Sequence, residues 1–120
     1  MNKIVKGILV LGILLLLSTS CGIYQDANQP IAEKLTILES KLVPVDVGYF
    51  TIQGQAKNIS NRQLKCAEIR GKFYDNNGTL VKSSRTNTLQ LMPNEIWGFE
   101  ILYIGDRPIA KYEISIVTAY

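Results

Sequence analysis

The sequence contains no histidine and only two cysteines, and its 13 Lys+Arg exceed its 10 Asp+Glu by three. Without histidine it lacks the commonest general base at neutral pH and the commonest metal ligand. Two cysteines are too few for a disulfide framework or a four-thiolate zinc site. A net charge of +3 is too small for a nucleic-acid footprint or a strongly basic membrane face. Glycine-rich phosphate loops and the Gly-x-Ser-x-Gly nucleophile elbow are missing as well. A chain of 120 residues has room for one domain. These absences leave neither nucleic acid nor metal nor cofactor among the expected partners.

What is present begins with an address. Lys3 and Lys6 precede an apolar run that is interrupted only by Gly12 and ends at Leu17. This is the n-region and h-region order of a secretory signal. The run stops at Ser18, short of the roughly 20 apolar residues that a spanning helix needs. Leu17-Ser18-Thr19-Ser20-Cys21 then resembles a bacterial lipobox, with Ser18 where leucine is common. A cysteine is required there because its thiolate can form a thioether with a lipid. The expectation is a signal peptide over residues 1–20 and lipidation at Cys21, giving a membrane partner through two or three acyl chains. The alternative is an ordinary signal cleaved near Ser20. With Lys3 and Lys6 removed, 11 positive and 10 negative side chains remain, so the mature body is near neutral. Gly22 after the cysteine, rather than aspartate, fits an outer-membrane lipoprotein; cell membrane and outer membrane both stay open.

Residues 21–34 read as a short polar tether containing Pro30, with partial incorporation as an edge segment the alternative. From residue 35 to 120 the texture is short alternating runs between turn signals. Leu35 to Val43 is one strand, closed by Pro44. The next places Phe50, Ile52, Gly54 and Ala56 on one face. A third places Ala67, Ile69, Gly71 and Phe73 together, and Asp75-Asn76-Asn77-Gly78 turns the chain. Thr79 to Met92 supplies one long strand or two short ones. Trp97, Phe99 and Tyr103 alternate inward on the following strand, and Tyr112, Ile114 and Ile116 on the last. Such spacing predicts an all-β, immunoglobulin-like sandwich of six or seven antiparallel strands.

Several segments resemble the FxLYD domain family of bacterial and archaeal envelope proteins and lipoproteins. They are Ile52-Gln53-Gly54-Gln55-Ala56-Lys57-Asn58, Gly71-Lys72-Phe73-Tyr74-Asp75 with Gly78, Leu91-Met92-Pro93-Asn94-Glu95 with Trp97 and Phe99, and Tyr112-Glu113-Ile114. The departures are Gly71 in place of Phe, Phe73 in place of Leu, and Asn94 in place of Gly. Phe73 is expected to make up the volume missing at Gly71, and Asn94 to take the left-handed turn conformation. The resemblance implies a tethered β-sandwich and carries no catalytic residues.

The candidate sites read mostly as structure. Cys66 is expected as a lone, buried small hydrophobe, with an intermolecular disulfide the alternative. Asp46, Glu68, Asp75, Glu95, Glu100, Asp106 and Glu113 show no spacing that compels a catalytic or calcium-binding pair. Lys57, Arg62, Lys65, Arg70 and Lys72 form a modest basic strip, read as a solvated face. Asn58-Ile59-Ser60 and Asn77-Gly78-Thr79 match glycosylation sequons. The expected function is therefore a non-enzymatic, lipid-anchored envelope protein whose sandwich binds an envelope protein. Two alternatives remain open: an accessory or exclusion lipoprotein of a mobile element, and a carboxylate-based envelope enzyme.

Overall fold

A computed structural model describes residues 30–120; the signal segment, Cys21 and most of the expected tether lie outside the described residues. After a 3-10 turn (Ile31–Glu33) come six strands: β1 (Leu35–Asp46), β2 (Tyr49–Asn58), β3 (Leu64–Tyr74), β4 (Leu80–Leu91), β5 (Ile96–Ile104) and β6 (Lys111–Ala119). They form two antiparallel sheets, ordered β1-β2-β5 and β4-β3-β6. The chain is thus the expected all-β sandwich. Its connectivity follows strands A, B and E of an immunoglobulin domain in one sheet and C′, C and F in the other.

The core forms where the alternation is strictest. Ala67, Ile69 and Phe73 of β3 meet Ile52 and Ala56 of β2 and Phe99, Ile101 and Tyr103 of β5, all buried. Each large side chain removed from water contributes about 1.5–3 kcal/mol. Phe73 lies 5.4 Å from the Tyr103 ring centroid, and Trp97, half-buried, lies 5.7 Å from Phe99. The expected compensation at Gly71 has a different source. The space over Gly71 is taken by Ile52 and Ile101 of the facing sheet, whose Cδ1 atoms would stand 2.8 and 3.0 Å from an added Cβ. Phe73 instead packs on Tyr103.

Two other details differ from the sequence reading and two settle alternatives it left open. Strand β1 runs through Pro44 to Asp46, because an edge strand needs no N–H on its open side. Residues 79–92 supply one strand rather than two, with Gln90 at φ 54 near its end. Ile31 packs against the core and Lys34 is buried, so the end of the presumed tether belongs to the domain. Thr51 and Glu68 alternate with core residues and so face outward, yet both are buried.

The strand directions give the sandwich two poles. The described chain enters at one, where β1, β3 and β5 begin and β2, β4 and β6 end. At the other lie the β1–β2 link at Val47 and Gly48, the β3–β4 turn and the β5–β6 loop.

Candidate interaction surface

The polar groups at the tether pole are bonded to one another. Asn58, fully buried, donates from Nδ2 to the carbonyls of Arg62 (3.0 Å) and Leu91 (2.9 Å). Its Oδ1 accepts from the Ser60 amide (2.9 Å) and hydroxyl (2.7 Å). Its amide donates to Glu95 O and its carbonyl accepts from the Asn94 amide. Asn94 adopts φ 68, the left-handed conformation expected of it. One side chain thereby ties the β2–β3 loop to the end of β4, with all four of its side-chain bonding positions used. Asn58 and Ser60 of the sequon are accordingly buried structural residues, with Ile59 exposed between them.

The carboxylates are bonded singly to different elements. Glu68 pairs with Arg85 at 3.0 Å, and Glu100 accepts from Thr51 at 3.0 Å. Asp75 accepts from the amides of Asn77 and Thr79 and lies 3.6 Å from Arg107, which makes it the turn former its sequence context suggests. The Tyr74 hydroxyl donates to Glu113 at 2.8 Å, and that bond holds the phenol above its ordinary pKa. Burial and the Glu113 charge add to this in the same direction. Among the described residues no group of three or more His, Cys, Asp or Glu side chains is placed to hold a metal ion.

Cys66 corrects an expectation. It is buried, as anticipated, but it is disulfide-bonded rather than a lone thiol. The other cysteine of the sequence is Cys21, outside the described residues.

Two features occupy the outer face of the β1-β2-β5 sheet. In the middle is a shallow, open, polar depression of about 450 Å³ lined by Glu39, Lys41, Gln53, Gln55, Gly98 and Glu100. Towards the distal pole the face becomes apolar. The register places Val43 and Leu102 on either side of Thr51, and Ile104 beside Tyr49. Val45 is the extra residue of a bulge, and Val47 stands at the hairpin tip. Val47 is 98% exposed, Ile104 68% and Val45 53%.

The distal loops are locked in place. Gly105 donates its amide to Gly48 O at 2.9 Å. Gly48 sits at φ +71, and a Cβ there would strike the Gly105 carbonyl oxygen. Sequence alternation could not find this surface, since Val45 and Val47 fall in what reads as a loop after Pro44.

No family model matches the chain, and no solved structure matches it. Over 85 residues it is 35% identical to an uncharacterized protein of Methanocaldococcus jannaschii, an alignment covering 68% of this chain and 63% of that protein. The chain therefore spans less than two thirds of the length of that relative.

Proposed function

We propose that this protein is a lipid-anchored, extracytoplasmic envelope protein of the FxLYD type, whose non-catalytic sandwich binds a protein partner. The observation that carries the anchor is Leu17-Ser18-Thr19-Ser20-Cys21 directly behind a short apolar run. Support for a binding rather than a catalytic role comes from the polar side chains. Those of Asn58, Ser60, Asp75 and Glu95 bond to turns and backbone, as a scaffold requires. Export has independent support from the disulfide on Cys66, because such bonds persist in oxidising compartments.

That disulfide also favours a second reading, an exported domain whose N-terminal segment is stapled by a Cys21–Cys66 bond. A thioether on Cys21 and a disulfide to it use the same sulfur, so one molecule carries one or the other. Intact mass of the protein from the membrane fraction separates them. The anchor predicts a diacylglyceryl addition on a chain beginning at Cys21, and release of Cys21→Ser from the membrane after a high-salt wash. A mass with no lipid, lower by two hydrogens than the reduced form, overturns the anchor and establishes the staple.

A further inference from the structure

We propose that the rigid apolar end built from Val45, Val47, Leu102 and Ile104, flanked by Asp46 and Asp106, docks a protein with an apolar pocket and a basic rim. This rests on the reading above, that the chain is a tethered binding module, and names the surface that binds.

Three observations carry it. First, the side chains gather around one half-buried ring. Ile104 flanks Tyr49 on β5, with Leu102 beside Thr51 two residues on; across Tyr49 on β1 stands Asp46, with the bulged Val45 before it and Val47 after it. An isolated exposed aliphatic side chain is ordinary, whereas a clustered patch marks an interaction site. Second, the patch is preorganised. The Gly105–Gly48 hydrogen bond joins its two loops, and Arg107, 3.6 Å from Asp75, joins the β5–β6 loop to the β3–β4 turn. A surface already fixed in its bound form loses less conformational freedom on association.

Third, charge and reach decide between occupants. Arg107 faces Asp75 and Lys111 lies over the Tyr74 ring of the other sheet, which leaves Asp46 and Asp106 to set the sign of the rim. An acidic rim is repelled by an anionic bilayer and complements a basic protein surface. The tether enters at the opposite pole. Strand β1, with 12 residues, separates the poles by ~40 Å, while the stretch from Cys21 to Pro30 spans at most ~32 Å when fully extended. Reach thus prevents an anchored chain from standing inverted on this end, and the acidic rim disfavours laying this sheet face flat on an anionic membrane.

The test places the photo-reactive p-benzoylphenylalanine at Val47, at Ile104, and at Met92 of the tether pole, each in the full-length chain in intact cells. The expected result is one covalent adduct of the same mass from Val47 and Ile104 and none from Met92. The double substitution Asp46→Asn with Asp106→Lys should reduce that adduct by about tenfold, as it changes the rim charge. The side-chain oxygen of Asp46→Asn can still accept the Val47 amide, which Asp46 Oδ1 accepts at 2.8 Å. The double substitution should leave the circular dichroism unchanged, since both side chains are exposed.

An adduct from Met92 alone overturns this surface and leaves the binding-module reading standing. An adduct at no position overturns both. An adduct of twice the chain mass assigns the patch to a second copy. Flotation of the purified Cys21→Ser chain, which carries no acyl chain, with phosphatidylglycerol–phosphatidylethanolamine vesicles, lost on adding Val47→Asp, assigns it to lipid. Either of these last results overturns the proposal.

Discussion

Replacing Asn58 with aspartate keeps the side-chain volume and removes both of its donors. The carbonyls of Arg62 and Leu91, which now receive those donors at 3.0 and 2.9 Å, would face a carboxylate oxygen instead. A buried polar group left without its partner costs about 1–3 kcal/mol. Two of them cost about 2–6 kcal/mol, before the added penalty of an unpaired buried charge. A domain of this size has a total stability of roughly 5–13 kcal/mol, so Asn58→Asp should remove a large share of it. Urea unfolding followed by Trp97 fluorescence would read this as a lower midpoint at an unchanged slope.

Acid supplies an internal control. The environment disfavours the charged form, so the folded-state pKa of the introduced carboxyl is raised above its unfolded value. The protonated form regains one donor. Its contribution is fully present below the unfolded aspartate pKa and is lost as pH rises through the folded one. The deficit relative to the parent should therefore shrink on acidification. A loss below about 1 kcal/mol at neutral pH, where a single unsatisfied group already costs that much, refutes the reasoning; so does a deficit that acid leaves unchanged.

Two further outcomes follow from the geometry. Gly54→Ala would drive a Cβ into the Phe99 ring and to 2.6 Å from the Glu39 carbonyl oxygen, so thermal unfolding should show a loss of about 1–3 kcal/mol. Adding Phe99→Leu should recover only the part due to the ring, because the Glu39 backbone clash remains; an unchanged melting temperature for Gly54→Ala alone counts against the packing described. Tyr74, held neutral by its bond to Glu113, should ionise above the ordinary pKa of a phenol. Since its folded pKa is raised, that contribution is full below the unfolded pKa and disappears as pH climbs through the folded one. Absorbance at alkaline pH should show a late-titrating tyrosine in the parent that titrates earlier in Glu113→Ala, and identical curves would contradict this.

Period-two alternation made the sandwich legible, because a side chain's face is fixed by parity alone. Phe99, Ile101 and Tyr103 lie in the core for that reason, and Asn94 and Gly78 could be read from their tolerance of positive φ. Parity failed where neighbours, rather than direction, control exposure. Thr51 faces outward but is enclosed between Val43 and Leu102. Pro44 reads as a strand end until the strand is known to lie at an edge, which is a property of topology. The distal apolar surface was hidden for the same reason: it is assembled from the end of β1 with its hairpin tip and the end of β5, far apart in sequence. The role of Asn58 is likewise non-local, since its acceptors lie 4 and 33 residues away.

The course of β1 has a mechanical consequence. Its first residue stands at the pole where the tether enters, and its last adjoins Val47 at the far pole. Tension between an anchor and anything gripping the hairpin tip would travel through the covalent backbone of one strand. At ~3.3 Å per residue, that strand is already close to its greatest possible length, save at its two irregularities, between Ile37 and Glu39 and between Pro44 and Asp46. Pulling would draw out those two places and little else. The β1–β2 bonds lie crosswise to such a pull, so β2 acts as a splint alongside a taut cable. Force reaching Ile104 instead would return to β1 by shear through β2, shared across the registered pairs from Leu35 to Asp46. A sandwich threaded in this way can be tugged from end to end without losing its shape.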